Sequence, residues 1–194
     1  SGFVQDDITL VPARLRVVAG TKILHNTYTG WEQQPNARVL WTPTQDRSIW
    51  FAVSRAVRLP TRVEEGVRLN IAAQRTAAPP GVALVRLQGA PGGGAEHATA
   101  YEIGHRMQVT APWFIDLAVY RTTYTRLNSV VSGTPFLEAS PGPVHVVLPV
   151  GNSNRGSGRA EGAELFTRWQ ASGPWRVSAS YAWSHMQVSP LDTL

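Results

Sequence analysis

Apolar and polar residues alternate with period two in segment after segment of this chain, and that alternation sets what it can fold into. A period of two puts successive side chains on opposite faces of a strand, whereas a helix would need a period near 3.6. From Leu15 to Ile23 one face carries Leu15, Val17, Ala19, Thr21 and Ile23, and the other carries Arg14, Arg16, Val18, Gly20 and Lys22. The same split recurs at Tyr101, Ile103, His105 and Met107 against Glu102, Gly104, Arg106 and Gln108. It returns at Ile115, Leu117 and Val119, at Ala163, Leu165, Thr167 and Trp169, and at Trp175, Val177, Ala179, Tyr181 and Trp183. About eight strands are predicted, near 2–9, 13–28, 34–41, 48–58, 99–110, 113–127, 144–170 with an interruption, and 175–188. With 17 Gly and 14 Pro in 194 residues, long helices are excluded.

The connections alternate as well. Short turns marked by proline fall at Val11-Pro12, at Thr42 to Asp46, at Thr110-Ala111-Pro112 and at Ala171 to Pro174. Longer links, expected to carry little order, fall at 59–98, 128–143 and 151–158. Short turns at one end, long loops at the other and two-faced strands of ~10 residues between them describe a transmembrane β-barrel. A soluble sandwich or lipocalin-like barrel also alternates. Its wet face, however, would be rich in Lys and Glu, and here that face holds Arg, Ser, Gly, Ala and Gln. Trp41, Trp113, Trp169 and Trp175 stand beside the short turns, as an interfacial girdle would. No apolar run approaches the ~20 residues of a membrane helix, and the segment Ser1 to Asp7 has none of the regions of a signal peptide.

No constellation for catalysis is present, and the chain is not expected to be an enzyme. Zero Cys excludes disulfides, thiolate metal sites and thiol nucleophiles. His25, His97, His105, His145 and His185 lack metal-ligand spacing, so neither a metal nor a cofactor is expected. Glu64-Glu65 and the pair Glu161 and Glu164 read as solvated charges, and Pro91-Gly92-Gly93-Gly94 lacks the Lys-Ser/Thr of a phosphate loop. The net charge of +5 rests on Arg, since Lys22 is the single lysine. These cations are dispersed, which argues against a nucleic-acid partner.

The motifs themselves resemble those of TonB-dependent outer-membrane receptors. Phe3-Val4-Gln5-Asp6-Asp7 with Leu10, Leu15 and Ala19-Gly20-Thr21-Lys22 is similar to that family's "YxQDxxxL…LxLxxGxR" strand pair. Pro35-Asn36-Ala37-Arg38-Val39 resembles its "SPRxxxxW" strand, and Ser54-Arg55-Ala56-Val57-Arg58-Leu59-Pro60 its "GRAFRAP" segment. Tyr101-Glu102-Ile103-Gly104-His105-Arg106 is similar to "YELGYR", Asn152 to a recurrent loop Asn, and Gly162-Ala163-Glu164-Leu165 to "GVEL". Ser54 stands where the pattern has glycine, and His105 where it has tyrosine.

The resemblance implies an all-β fold, an antiparallel up-and-down meander forming part of a roughly 22-stranded plugged barrel. Residues 1–194 would then be one fragment from the second half of that barrel, without plug or barrel C-terminus, since Pro190 to Leu194 is no terminal aromatic strand. The implied role is TonB-energised uptake across a Gram-negative outer membrane of a scarce nutrient, most often a ferric siderophore, otherwise haem or cobalamin. Implied partners are the TonB complex, acting through the plug, and outer-membrane lipid. The alternative is a small eight-stranded barrel, membrane or soluble, with a binding or structural role. Arg38, Glu102, Arg106, Asp116, Glu164, Arg168 and Arg176 are expected to face the lumen. Arg58, Arg62 and Arg68, at the extracellular end, are the candidates for drawing in an anionic ligand. Strict alternation would leave Arg55 beside lipid, so a bulge or strand twist near Ser54 to Ala56 is expected to turn it toward the lumen or lift it into the headgroup zone.

Overall fold

The computed structural model describes residues 1–189; the Pro190–Leu194 segment lies outside the described residues. In chain order the elements are β1 (Gly2–Val11), β2 (Leu15–Asn26), β3 (Gly30–Thr44), β4 (Arg47–Arg58), α1 (Arg62–Gly66), β5 (Arg68–Arg75) and β6 (Val82–Gln88). They continue with β7 (Glu96–Thr110), β8 (Trp113–Ser132), β9 (Phe136–Glu138), β10 (His145–Ser172) and β11 (Trp175–Ser189). The strands β1, β2, β3, β4, β7, β8, β10 and β11 form a continuous antiparallel wall and correspond one to one with the predicted eight. Among the described residues β1 and β11 do not pair, so the sheet does not close on itself. Leu117 and Val177 are 42% and 52% exposed rather than packed into an internal core. A small closed barrel made by this chain alone is thereby overturned.

Register sets the two faces. Ile8, Val17, Val39, Phe51, Ile103, Val119, Ala163 and Trp183 pair successively across all the wall strands, so one unbroken apolar row crosses the sheet. Toward the short turns the next row carries Leu15, Trp41, Ile49, His105, Leu117, Leu165 and Tyr181. Residues one position along each strand point to the opposite face and are mostly polar or small. At each short turn a shift in register lets the chain reverse, between Thr9 and Val11, Trp41 and Thr44, Gln108 and Thr110, and Gln170 and Ser172. Gly173 takes a φ of 51° in the last of these turns, a left-handed conformation that costs glycine nothing.

Four expectations are corrected. Pairing of β4 with β7 is regular from Arg47 to Arg58, so no bulge turns Arg55 around. Arg55 stays on the face of Phe51, but its cross-strand row is polar, Thr99, Thr123, Arg159 and Gln187. Height along the strand, rather than a twist, takes it past the apolar band.

The link 59–98 is ordered: it holds α1 and the hairpin β5–β6. The supposed interruption at 151–158 is continuous strand. There β10 pairs with β8 through a bulge between Ser153 and Ser157, and a side chain at Gly156 would meet the Leu127 carbonyl at 2.9 Å. A Gly-, Asn- and Ser-rich run reads as loop by composition, yet its backbone groups are claimed by neighbouring strands.

Finally, not every pairing is antiparallel. Val82–Gln88 lies parallel to Val146–Gly151 of β10, which the long excursion from β4 to β7 has enough chain to allow. Most of the buried apolar residues lie in this end assembly, Val147 and Ala95 at 0% exposure and Ala83 at 4%.

The two-faced wall predicts an asymmetric response to charge. In the complete protein, Leu117→Arg should destabilise the barrel by about 2–4 kcal/mol, the depth-dependent cost of arginine against lipid. Ser180→Arg, on the polar face, should cost less than half as much. Urea unfolding in liposomes reads both, and equal costs would mean the faces are wrongly assigned.

Candidate functional site

The polar face carries a cavity of about 570 Å³, lined by Arg38, Trp50, Glu102, Arg106, Asp116 and Glu164 among others. Alternation at neighbouring positions of five strands brings these side chains together. Two cross-strand rows supply most of them: Arg38, Ala52, Glu102, Tyr120 and Gly162 in one, and Trp50, Gly104, Ala118 and Glu164 in the next. Two glycines make room for the aromatic rings. The Trp50 indole lies over Gly104, and a side chain at Gly162 would come within 2.6 Å of the Tyr120 hydroxyl. Flat rings over glycine give this face smooth, rigid ground on which charged groups are held.

Two of the arginines on this ground have defined partners. Arg106 Nε donates to Asp116 Oδ2 at 2.7 Å from the directly opposing position. Arg38 stacks its guanidinium 5.2 Å above the Trp50 ring, a cation–π contact. Nearer the short turns Arg168 sits 5.5 Å over Phe114, and Arg176 Nε donates to Gln170 at 3.3 Å. All seven residues expected on this face are therefore on it by register. Glu161 and Glu164, three positions apart on β10, fall on opposite faces and cannot act as an acid–base couple.

At the far end of the wall the arginine candidates separate. Arg58, the last residue of β4, donates to Glu64 Oε1 at 2.9 Å and also to Glu96. Asn128 completes the cluster: its amide donates to Glu96 at 2.8 Å and its side chain to Glu64 at 2.6 Å. Thr61 caps α1, accepting from the Glu64 amide at 3.2 Å while its own amide donates to the Glu64 carboxylate at 2.6 Å. Arg58 is thus a tether between β4, α1, β7 and β8, its guanidinium shared between two carboxylates. Arg62 begins α1 and Arg68 begins β5, both exposed and without an ion-pair partner among the described residues.

Several of these groups were legible but read otherwise. Thr61-x-x-Glu64 is the signature of a capping box. Glu64 and Glu65 are not solvated: Glu65 is only 8% exposed, and one of its oxygens accepts from the Gly92 amide at 2.9 Å. A second cluster had no local signal at all. Arg86 of β6 grips Glu138 of β9 with both ends of its guanidinium, and its Nε donates to Asn70 at 2.8 Å. Buried His145 bridges the same Glu138, at 3.2 Å, and the Pro143 carbonyl, at 2.8 Å. Its members lie up to 75 residues apart, from Asn70 to His145.

Comparison with known proteins decides the family. The TonB dependent receptor-like β-barrel family matches residues 1–193. The chain belongs to the TonB-dependent receptor β-barrel family. No curated protein sequence matches it significantly. Among solved structures, the siderophore receptor PirA from Pseudomonas aeruginosa superposes with a TM-score of 0.66 at 19% identity, over 97% of this chain and 34% of that one. The ferric enterobactin receptor PfeA of the same organism, a mutant in complex with enterobactin, gives 0.73 at 20% identity, over 94% and 26%. The FrpB iron transporter from Neisseria meningitidis gives 0.61 at 15%, over 96% and 25%. These likenesses show a shared fold, and the chain spans about a third or less of each solved receptor. The family is one of β-barrel receptors of the Gram-negative outer membrane.

The Arg58 cluster makes its end of the barrel segment sensitive to acid. Arg58, followed by the Thr61 amide, holds the Glu64 carboxyl down to about 2 from an ordinary 4.5. Arg58 likewise lowers Glu96. A depressed carboxylate contributes stability that is present above the unfolded value and is lost as pH falls through the folded one. Amide exchange of Thr61 to Gly66 should therefore stay protected at neutral pH and lose protection between about 4.5 and about 2. Arg58→Ala should lose it already at neutral pH; unchanged exchange in that variant would show that the tether holds nothing.

Proposed function

We propose that this chain is wall and loop of a receptor that imports an anionic iron chelate of the ferric siderophore class across the outer membrane. The observation that carries the reading is the pairing of an unbroken apolar row on one face with a charged, glycine-floored cavity on the other. A sheet built this way suits a wall with lipid outside and a hydrated lumen inside. The polar face, with Arg38, Glu102, Arg106, Asp116, Glu164, Arg168 and Arg176, is then the lumen wall of a roughly 22-stranded barrel. Its charges hydrate the wall and offer polar contacts to a plug domain, while Arg168 and Arg176 sit by the periplasmic turns. The solved receptors with this fold support iron chelates as the cargo class, since their own names are those of siderophore receptors and an iron transporter.

In this reading the ligand meets the loop end first. Arg62 and Arg68, exposed and without an ion-pair partner among the described residues, attract an anionic chelate, whereas Arg58 holds the platform beneath them. Opening of the lumen is driven by the TonB complex acting through the plug, so no group of this chain performs chemistry on the cargo. Haem and cobalamin are the other cargoes compatible with such a wall.

The test uses the complete receptor in outer membranes, with radiolabelled ferric chelates and with or without TonB. Energy-dependent uptake of an anionic ferric siderophore is the expected result, and uptake of none of the chelates would overturn the reading. Arg62→Ala with Arg68→Ala should weaken binding by at most about 1.5–3 kcal/mol per residue before solvent screening. The loss should be largest at low ionic strength, since exposed charges are screened within ~10 Å at 0.1 M salt. Affinity unchanged at both low and high salt would leave the two arginines as rim charges.

A further inference from the structure

We propose that the loop end of the wall holds a calcium ion, on the carboxylate of Glu65 and the side-chain oxygens of Asn128 and Asn154. Two buried oxygens carry the argument. Glu65 Oε1 and Asn128 Oδ1 have no hydrogen-bond partner among the described residues. Glu65 is only 8% exposed and makes no ion pair there. A buried carboxylate is ordinarily paired, hydrogen-bonded or bound to a metal, and an orphaned oxygen beside it points to a missing donor or ion.

None of the three side chains is able to relieve this by turning. Asn128 Nδ2 donates to Glu64 at 2.6 Å, and the reversed amide would set its oxygen against a carboxylate. Asn154 Nδ2 donates to the carbonyls of Gly94 at 3.2 Å and Arg126 at 3.1 Å, so its Oδ1 remains an acceptor, held over Gly93. The Gly92 amide holds the other oxygen of Glu65 at 2.9 Å. Beneath it, α1 packs so closely on Gly89 that a side chain there would meet the Glu65 carbonyl carbon at 2.6 Å. Glu65, Asn128 and Asn154 line one space of about 10 Å³, together with Gly93, Gly94 and Asn152. That is room for a single ion or a single water.

Charge decides between the two. Arg58 stands between Glu64 and Glu96, one guanidinium for two carboxylates, and Glu65 adds a third negative group. Arg126 lies against Gly94 without forming an ion pair with Glu65, and even with it counted the carboxylates outnumber the guanidiniums. A water would supply hydrogens and no charge; a cation supplies what both oxygens lack. Among the described residues no three His, Asp or Glu side chains converge as a transition metal would require. The donors are hard oxygens, from one carboxylate and two amides, and Gly93 and Gly94 bring only backbone to the space. Calcium accepts such an irregular mixture, whereas magnesium demands an octahedron and keeps waters for which there is no room. Gly92 and Gly94 take φ of 78° and 80°, which folds this run around the Glu65 carboxylate. An ion here ties α1 and the link 89–95 to β8 and β10, and the site does not depend on which cargo the receptor carries.

The experiment takes the complete receptor in detergent, strips it of divalent ions and measures calcium-45 by equilibrium dialysis and amide exchange by mass spectrometry. Two variants are compared with the parent protein: Glu65→Gln, which keeps the shape and removes the charge, and Gly93→Ala, which keeps the charge and crowds Asn154 Oδ1. At ~1 mM free calcium the parent should bind one ion more than either variant, with a Kd near ~0.1 mM. Exchange of residues 61–66 and 89–95 in the parent should then slow roughly tenfold on adding calcium. Magnesium at the same concentration should not slow it, and the exchange of Glu65→Gln should respond to neither ion. Equal calcium counts for parent and Glu65→Gln, or protection that magnesium confers as well as calcium, would overturn the site and leave a water between the oxygens. Resistance of the barrel to unfolding in sodium dodecyl sulfate verifies that each variant is folded. Chelate uptake is scored separately: its absence in the parent sinks the transport reading and leaves the calcium result standing.

Discussion

Backbone hydrogen bonding in a medium without water is the constraint on which everything else in this chain depends. Inside hydrocarbon an unpaired amide or carbonyl costs several kcal/mol, so a membrane strand must be paired on both sides along its whole crossing. The wall meets that demand with uninterrupted antiparallel ladders from β2 to β10, and with bulges only at the short turns and at the loop end of β8 and β10. Once the ladder is fixed, each side chain has only two directions available. One apolar row then forces its neighbours one position away to face a different medium, and the charged cavity around Arg38, Glu102 and Arg106 follows from the register alone.

The wall was legible in the sequence for the same reason. Period two is a local signal, and Leu15 to Ile23 or Trp175 to Trp183 declare their faces with no knowledge of what they pair with. What lies beyond the membrane was not legible, because water relaxes the constraint. There backbone groups can be satisfied by solvent, by caps or by any strand within reach, and composition ceases to distinguish a loop from a ladder. The run Gly151 to Gly158 has the composition of a link but is held between β8 and the end assembly. Arg86, Glu138 and His145 meet only because β6 crosses over to lie parallel to β10. No spacing rule connects them.

Arg58 illustrates how placement and partners are read from different information. Its position at the strand end, entering the longest excursion, was evident from the residue pattern. Its role depended on partners on α1, β7 and β8, which only the fold supplies. A guanidinium held between two carboxylates has little charge left to offer, whereas Arg62 and Arg68 next to it keep theirs. Arg55 shows the complementary case. The alternation correctly predicted its face, and the expected bulge was unnecessary because a strand that continues beyond the apolar band carries its later residues out of the hydrocarbon.

The end assembly follows from the same physics, with the terms rearranged. The sheet itself has no buried core, its apolar row being left exposed; among the described residues the wholly buried apolar side chains, Ala95 and Val147, lie outside the band. Where the wall rises into water, the long excursion must bury apolar surface of its own to stay ordered, and it does so by laying β6 along β10. Burial there leaves Arg86 and Glu138 with little solvent, and the two meet as an ion pair rather than standing free. The ion pairs are therefore a consequence of packing a loop onto a sheet edge. They fix where the loop sits, and the exposed arginines it carries inherit that position.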